Sequence, residues 1–184
     1  MAVREGPLTP ANLLDSAPEL GQIFDGTALR MADPQYVANT ALGPIPEHFP
    51  ELVKAFIHRG LACIAYSGFY NLLATIGMGQ FGMATEAAIR EYSLQHGLSL
   101  IDPNSKPYGF HNLINNLKRD SLLDDRQVDF WKSTVKLRNY LLHPEENVAL
   151  DYSIIYINIA VITEELLILF PPPMEVACRT LENP

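Results

Sequence analysis

Proline placement limits what this chain can fold into. Proline lacks a backbone N–H and clashes with the preceding turn, so helix interiors exclude it. Seven of the fourteen prolines fall in the first fifty residues: Pro7, Pro10, Pro18, Pro34, Pro44, Pro46 and Pro50. Periodic structure is therefore expected to begin after Pro50. Residues 1–50 read as an irregular arm of the same domain, with room for two short helices. Thr9-Pro10 supplies an N-cap and first helical position for one of them over residues 11–16. Asp102-Pro103 and Lys106-Pro107 mark a loop over residues 101–109. Pro144 stops a helix, and Pro171-Pro172-Pro173 closes the last one, leaving residues 171–184 as a tail.

Within those limits the apolar residues recur at helical spacing. Leu52, Phe56, Ile57, Leu61, Ile64 and Ala65 predict a helix over residues 51–77, with Gly60 and Gly68 allowing close approach of a neighbour. Gly77-Met78-Gly79-Gln80 predicts a kink or break, followed by a helix over 83–96 that Gly97 ends. Phe110, Leu113, Ile114 and Leu117 give a short amphipathic helix. Asp124-Asp125 reads as a turn and helix start, leading into residues 125–142 with Val128, Trp131, Val135, Leu137 and Leu141. A last helix is expected over 151–170. No segment alternates long enough to make a strand. The expectation is an all-α bundle of four to five helices over residues 51–170, carrying the proline-rich arm.

Length and composition fit one globular domain: 184 residues, 48% hydrophobic. The formal charge of −8 argues against a surface that binds nucleic acid all over. Cys63 and Cys178 are too isolated for a disulfide framework, so a reducing, cytoplasmic setting is expected, with Cys63 as a small buried hydrophobe. Residues 61–85 carry no charge and residues 154–170 are strongly apolar. The first run is interrupted by glycines and amides and the second contains Glu164-Glu165, which disfavours a membrane span. No secretion signal opens the chain. Glu164-Glu165 reads as part of a solvated face. His48, His58, His96 and His111 lack metal-ligand spacing, and Gly77-Met78-Gly79 lacks the context of a phosphate loop. Neither a metal nor another cofactor is expected.

The segment with chemical potential is Lys136-Leu137-Arg138-Asn139-Tyr140-Leu141-Leu142-His143. RNA is cleaved without metal when its own 2′-hydroxyl attacks the adjacent phosphate. That step needs a group that exchanges protons near neutral pH, which suits His143. It also needs donors facing the charge that builds on the phosphate, which suits the Arg138 fork. Asn139 would orient either group. On an ideal helix Arg138 and His143 stand about 140° apart, so they converge only if Pro144 distorts the last turn. One histidine cannot be acid and base at once; a two-fold homodimer would place two His143 and two Arg138 in one cleft. Lys106, Lys118, Arg119, Arg126, Lys132, Lys136 and Arg138 outnumber the interrupting Asp120, Asp124, Asp125 and Asp129, so this stretch is net basic in an acidic chain and leaves room for a local basic cleft. Lys132 and Lys136 are candidates for backbone phosphates. Tyr140 and Trp131 could stack bases, although aromatics at helical spacing more often fill a core.

Arg138, the polar Asn139 after it and His143 match the Arg-x4-His motif of the HEPN family. The chain resembles that family over roughly residues 50–170. Residues 68–92, with an acidic position at Glu86, resemble its long central helices; 110–123 its short helix and turn; and 151–170 its final helix. The resemblance implies a metal-independent endoribonuclease acting on single-stranded RNA as a homodimer. It further implies a toxin or anti-phage effector, with an antitoxin or another regulatory protein as partner. One position departs from some toxin members: Glu145 stands two residues after the histidine where they carry tyrosine. Glu145-Glu146 also put negative charge beside the cleft. The alternative is a catalytically inactive bundle of this type that binds a partner protein, nucleotide or RNA, which the acidity favours and the intact Arg-Asn-His disfavours. Without the resemblance, the plain alternative is that Arg138 meets the helix dipole and His143 caps the helix end.

Overall fold

The computed structural model describes residues 45–67, 72–142 and 152–173. The arm before residue 45 (including the short helix expected over 11–16), His143 to Glu146, and Cys178 lie outside the described residues. Among the described residues there are five helices: α1 (Glu51–Tyr66), α2 (Leu72–Gln95), α3 (Phe110–Arg119), α4 (Asp125–Leu142) and α5 (Tyr152–Leu169). The only extended pairing among them is a single antiparallel bridge between Ile101 and Pro107. The domain is an all-α bundle.

α1 starts where proline allows it to. The Pro50 carbonyl accepts the Lys54 N–H at 3.0 Å, and Glu51 in the first turn suits the positive end of the helix dipole. Its buried face is Val53, Ile57, Gly60, Leu61 and Ile64, so Leu52 falls outside the core and is exposed. The helix stops at Tyr66, eleven residues before the sequence pattern suggested. Ser67 takes the Ile64 carbonyl with both its N–H (3.1 Å) and its hydroxyl (2.5 Å), tightening the last turn.

α2 corrects the expectation of a break at Gly77-Met78-Gly79-Gln80, because it runs through that stretch as one helix of 24 residues. The glycines serve packing instead. A Cβ at Gly77 would stand 2.8 Å from the Gly60 carbonyl oxygen and 2.7 Å from Ile64 Cγ1. A Cβ at Gly60 would stand 2.8 Å from the Phe81 ring. α1 and α2 therefore touch almost backbone to backbone, which offsets the roughly 1 kcal/mol that a helical glycine costs relative to alanine. Gly77→Ala is expected to destabilise the fold by about 1–3 kcal/mol, because the clash is with main chain and the helices must part. Urea unfolding checks this; equal or greater stability in the variant would mean that the two helices separate freely.

The later elements follow the sequence closely. α3 buries Phe110, Leu113, Ile114 and Leu117. α4 opens with a reciprocal cap: Asp124 Oδ1 accepts the Gln127 N–H at 2.7 Å while Gln127 Oε1 accepts the Asp124 N–H at 3.0 Å. Trp131 is fully buried, edge-on to Phe130 at 5.0 Å, so its role is in the core. α5 buries Ile155, Ile159, Ile162, Leu166 and Leu169. α2 packs against each of the other four helices.

The Glu164-Glu165 pair splits. Glu164 is exposed, but Glu165 is buried and receives the Arg126 guanidinium. That hydrogen bond, and then the carboxylate charge, raise the Arg126 pKa above its ordinary value. The expectation of a solvated face therefore fails for Glu165, because an arginine from the start of α4 supplies the counter-charge that burial demands. The expectation of a buried Cys63 holds only in part: the residue is half-buried, and burial pushes its thiol pKa up. No described helix is long and apolar enough to cross a membrane.

Candidate functional site

The arginine of the motif lies on the face of α4 that packs on α2. Its stem occupies the gap left by Gly82, where a Cβ would stand 2.8 Å from Arg138 Cβ and 2.9 Å from its Cγ. Any side chain at residue 82 would push Arg138 or the whole of α4 away. The guanidinium then reaches one turn further along α2. Nη2 pairs with Glu86 Oε2 at 3.0 Å and approaches Met83 Sδ at 3.6 Å; Nη1 donates to Asn139 Oδ1 at 3.3 Å. The Nε is buried and makes no hydrogen bond.

Glu86 is shared. Its other oxygen, Oε1, accepts from Arg90 Nη2 at 2.7 Å and Arg90 Nε at 3.0 Å. Arg90 Nη2 also donates to the Tyr108 carbonyl at 3.1 Å, tying the loop before α3 to the same point. The result is a chain of charges, Arg90–Glu86–Arg138, joining α2 to α4. The Glu86 side chain is 15% exposed and those of Arg90 and Arg138 are 29% and 25%, so water screens the chain only in part. Removing the shared carboxylate leaves two partly buried cations facing each other. Glu86→Ala is expected to cost about 3 kcal/mol, near the lower end for a broken buried pair. A denaturation midpoint unchanged from wild type would show that the arginines find water instead.

The other sequence candidates go elsewhere. Lys132, Lys136 and Asn139 recur at i, i+4 and i+7 and share a face, and Tyr140 flanks it. All four stand roughly 100–160° around α4 from Arg138. Lys136, Asn139 and Tyr140 are exposed and Lys132 is half-buried. Only Asn139 touches Arg138, by turning its amide back. His143 would follow directly on α4 but lies outside the described residues.

The basic stretch is less basic than its sequence. Lys118 pairs with Asp125 at 2.7 Å, Arg119 with Asp120 at 3.1 Å, Arg126 with Glu165, and Arg138 with Glu86. Lys132 and Lys136 form no ion pair with another described residue and are the cations left on the outer face of α4. Arg138 does not act as a simple cation at the helix dipole either, since its charge is spent across the helix interface on Glu86.

The chain matches no known protein-family model, curated protein or solved structure. The site therefore rests on its own chemistry. Sequence reasoning found Arg138 and placed Glu86 by resemblance, but it missed Gly82, Met83, Arg90 and Tyr108. The Glu86–Arg90 spacing of four is a readable helical ion pair. Its extension to Arg138, 52 positions later, is created by folding.

Proposed function

We propose that the protein is a HEPN-type, metal-independent endoribonuclease that acts as a homodimer on single-stranded RNA. The observation that carries this reading is the clamp on Arg138. Glu86 fixes one edge of the guanidinium and leaves Nη1 beside Asn139, near the end of α4 where His143 follows. A cation held in place by a partner needs little rearrangement when charge develops on a phosphate, which is the condition for electrostatic stabilisation. In this reading the substrate 2′-hydroxyl attacks phosphorus, His143 handles the proton, Arg138 faces the non-bridging oxygens and Asn139 orients. Lys132, Lys136 and Tyr140, on the outer face of α4, would meet RNA away from the scissile phosphate, the lysines at backbone phosphates and the ring at a base. A second copy supplies the second histidine. A toxin or anti-phage role, with an antitoxin as partner, belongs to the same reading.

A second reading has an observation of its own. Glu86 already neutralises Arg138, and the chain is acidic overall, so the same bundle could serve as a non-catalytic binding module. Incubation of the purified protein with varied single-stranded RNAs in EDTA separates the two. Cleavage leaving a 2′,3′-cyclic phosphate supports the nuclease, and intact RNA across the set supports the module.

A further inference from the structure

Arg90 brings a second cation to Glu86, and it holds that carboxylate by one oxygen only. Its Nη2 and Nε both donate to Glu86 Oε1, at 2.7 Å and 3.0 Å. Nη2 also donates to the Tyr108 carbonyl at 3.1 Å, so the loop ahead of α3 fixes the Arg90 fork in turn. Glu86 and Arg90 stand one helical turn apart on α2, so the helix itself sets this pair. Oε1 is thereby occupied from within α2, and Oε2 is left to face α4.

The state of Arg138 follows from that division. It meets Glu86 through Nη2 alone, at 3.0 Å, and its neighbouring Nε is buried with no hydrogen bond among the described residues. Arginine and carboxylate frequently pair through two parallel N–H···O bonds, and a buried N–H left unbonded is costly. A free Glu86 would resolve both by turning Oε1 toward the Arg138 Nε. The grip of Arg90 on Oε1 opposes that turn. Charge points the same way. Two arginines on one carboxylate leave the trio with a net positive charge, whereas Glu86 and Arg138 alone would cancel.

We propose that Arg90 is a positioning residue that holds Arg138 to a one-point contact with Glu86, so that the fork keeps charge and free donors for an anion. Its effect on RNA cleavage rests on the nuclease reading above; its effect on the Arg138 guanidinium does not. Arg90→Met keeps a stem and removes the charge and donors, while Arg90→Lys restores the charge without the fork. The Arg138 Nε–H is followed by proton–nitrogen NMR on protein labelled at arginine, its signal identified by its loss in Arg138→Lys. In Arg90→Met that proton should move downfield as Glu86 closes on Nε. Its exchange with water should slow by up to about tenfold, the net worth of one hydrogen bond. RNA cleavage should lose about 10–100-fold in kcat, the scale for a misplaced catalytic group, with KM little changed. Arg90→Lys should fall between wild type and Arg90→Met in both measurements, and that intermediate shift carries the test if Arg90→Met does not fold. An Nε signal unchanged from wild type in the folded variants overturns the assignment whatever happens to RNA. A raised KM at unchanged kcat also overturns it and makes Arg90 a direct phosphate contact. If wild type cuts no RNA, the nuclease reading falls and the Nε comparison alone decides the role of Arg90.

Discussion

Alanine at His143 is expected to slow RNA cleavage by about two to four orders of magnitude, the usual contribution of a proton-transfer group. Imidazole is the side chain chemically suited to exchanging protons near neutral pH, and His143 is the only histidine in the Arg138–His143 segment. The loss should appear in kcat, because the proton moves only in the transition state. Cleavage should persist in EDTA and spare DNA, which lacks the attacking hydroxyl. Arg138→Ala should lose a comparable amount, but its fold is also affected. Arg138 is half-buried against Gly82 and paired with Glu86, so this variant should unfold more easily than His143→Ala. Arg138→Lys separates the effects by keeping the charge while giving up the fork. Equal rates for wild type and His143→Ala would remove the nuclease reading and leave the binding module.

Trp131→Ala, at the largest fully buried side chain among the described residues, is expected to cost about 3–5 kcal/mol. The indole is fully buried on α4, beside Phe130 and within the common core. Truncation removes its burial and leaves a cavity between helices that cannot close without moving α4. Domains of this kind are stable by only about 5–15 kcal/mol, so a large share would be gone. Chemical denaturation gives the size directly. A loss below about 1 kcal/mol, no more than an ordinary surface change, would mean that α4 does not pack as described. Since α4 also carries Arg138, residual RNA cleavage in this variant would report whether the site survives a loosened core.

Much of the bundle was legible because helices announce themselves by apolar spacing and by what ends them. α3 through Phe110, Leu113, Ile114 and Leu117, and α4 through Val128 and Trp131, were readable residue by residue. The end of α1 and the continuity of α2 were not. Glycine signals a break when it faces water and close packing when it faces a neighbour, and only the position of Gly60 opposite Gly77 decides between them. Glu165 was misread for a similar reason, since its partner Arg126 lies 39 positions away. At the candidate site the motif picked out Arg138 and Asn139. It did not reveal that Arg138 turns inward while Lys132, Lys136 and Tyr140 turn outward, because that division depends on which face of α4 meets α2.

The central position of α2 has one more consequence. Small residues line it (Ala74, Gly77, Gly79, Gly82, Ala84, Ala87, Ala88), and only Ile76, Leu94 and Gln95 along its length are exposed. It works as a thin axle, with half of its 24 residues buried and limited surface of its own for a ligand to touch. Recognition has to be carried out by the outer faces of the surrounding helices. Those faces can change partner or substrate over time while the axle, crowded on every side, tolerates little change. The molecule thus separates the part that holds its shape from the parts free to acquire new specificity.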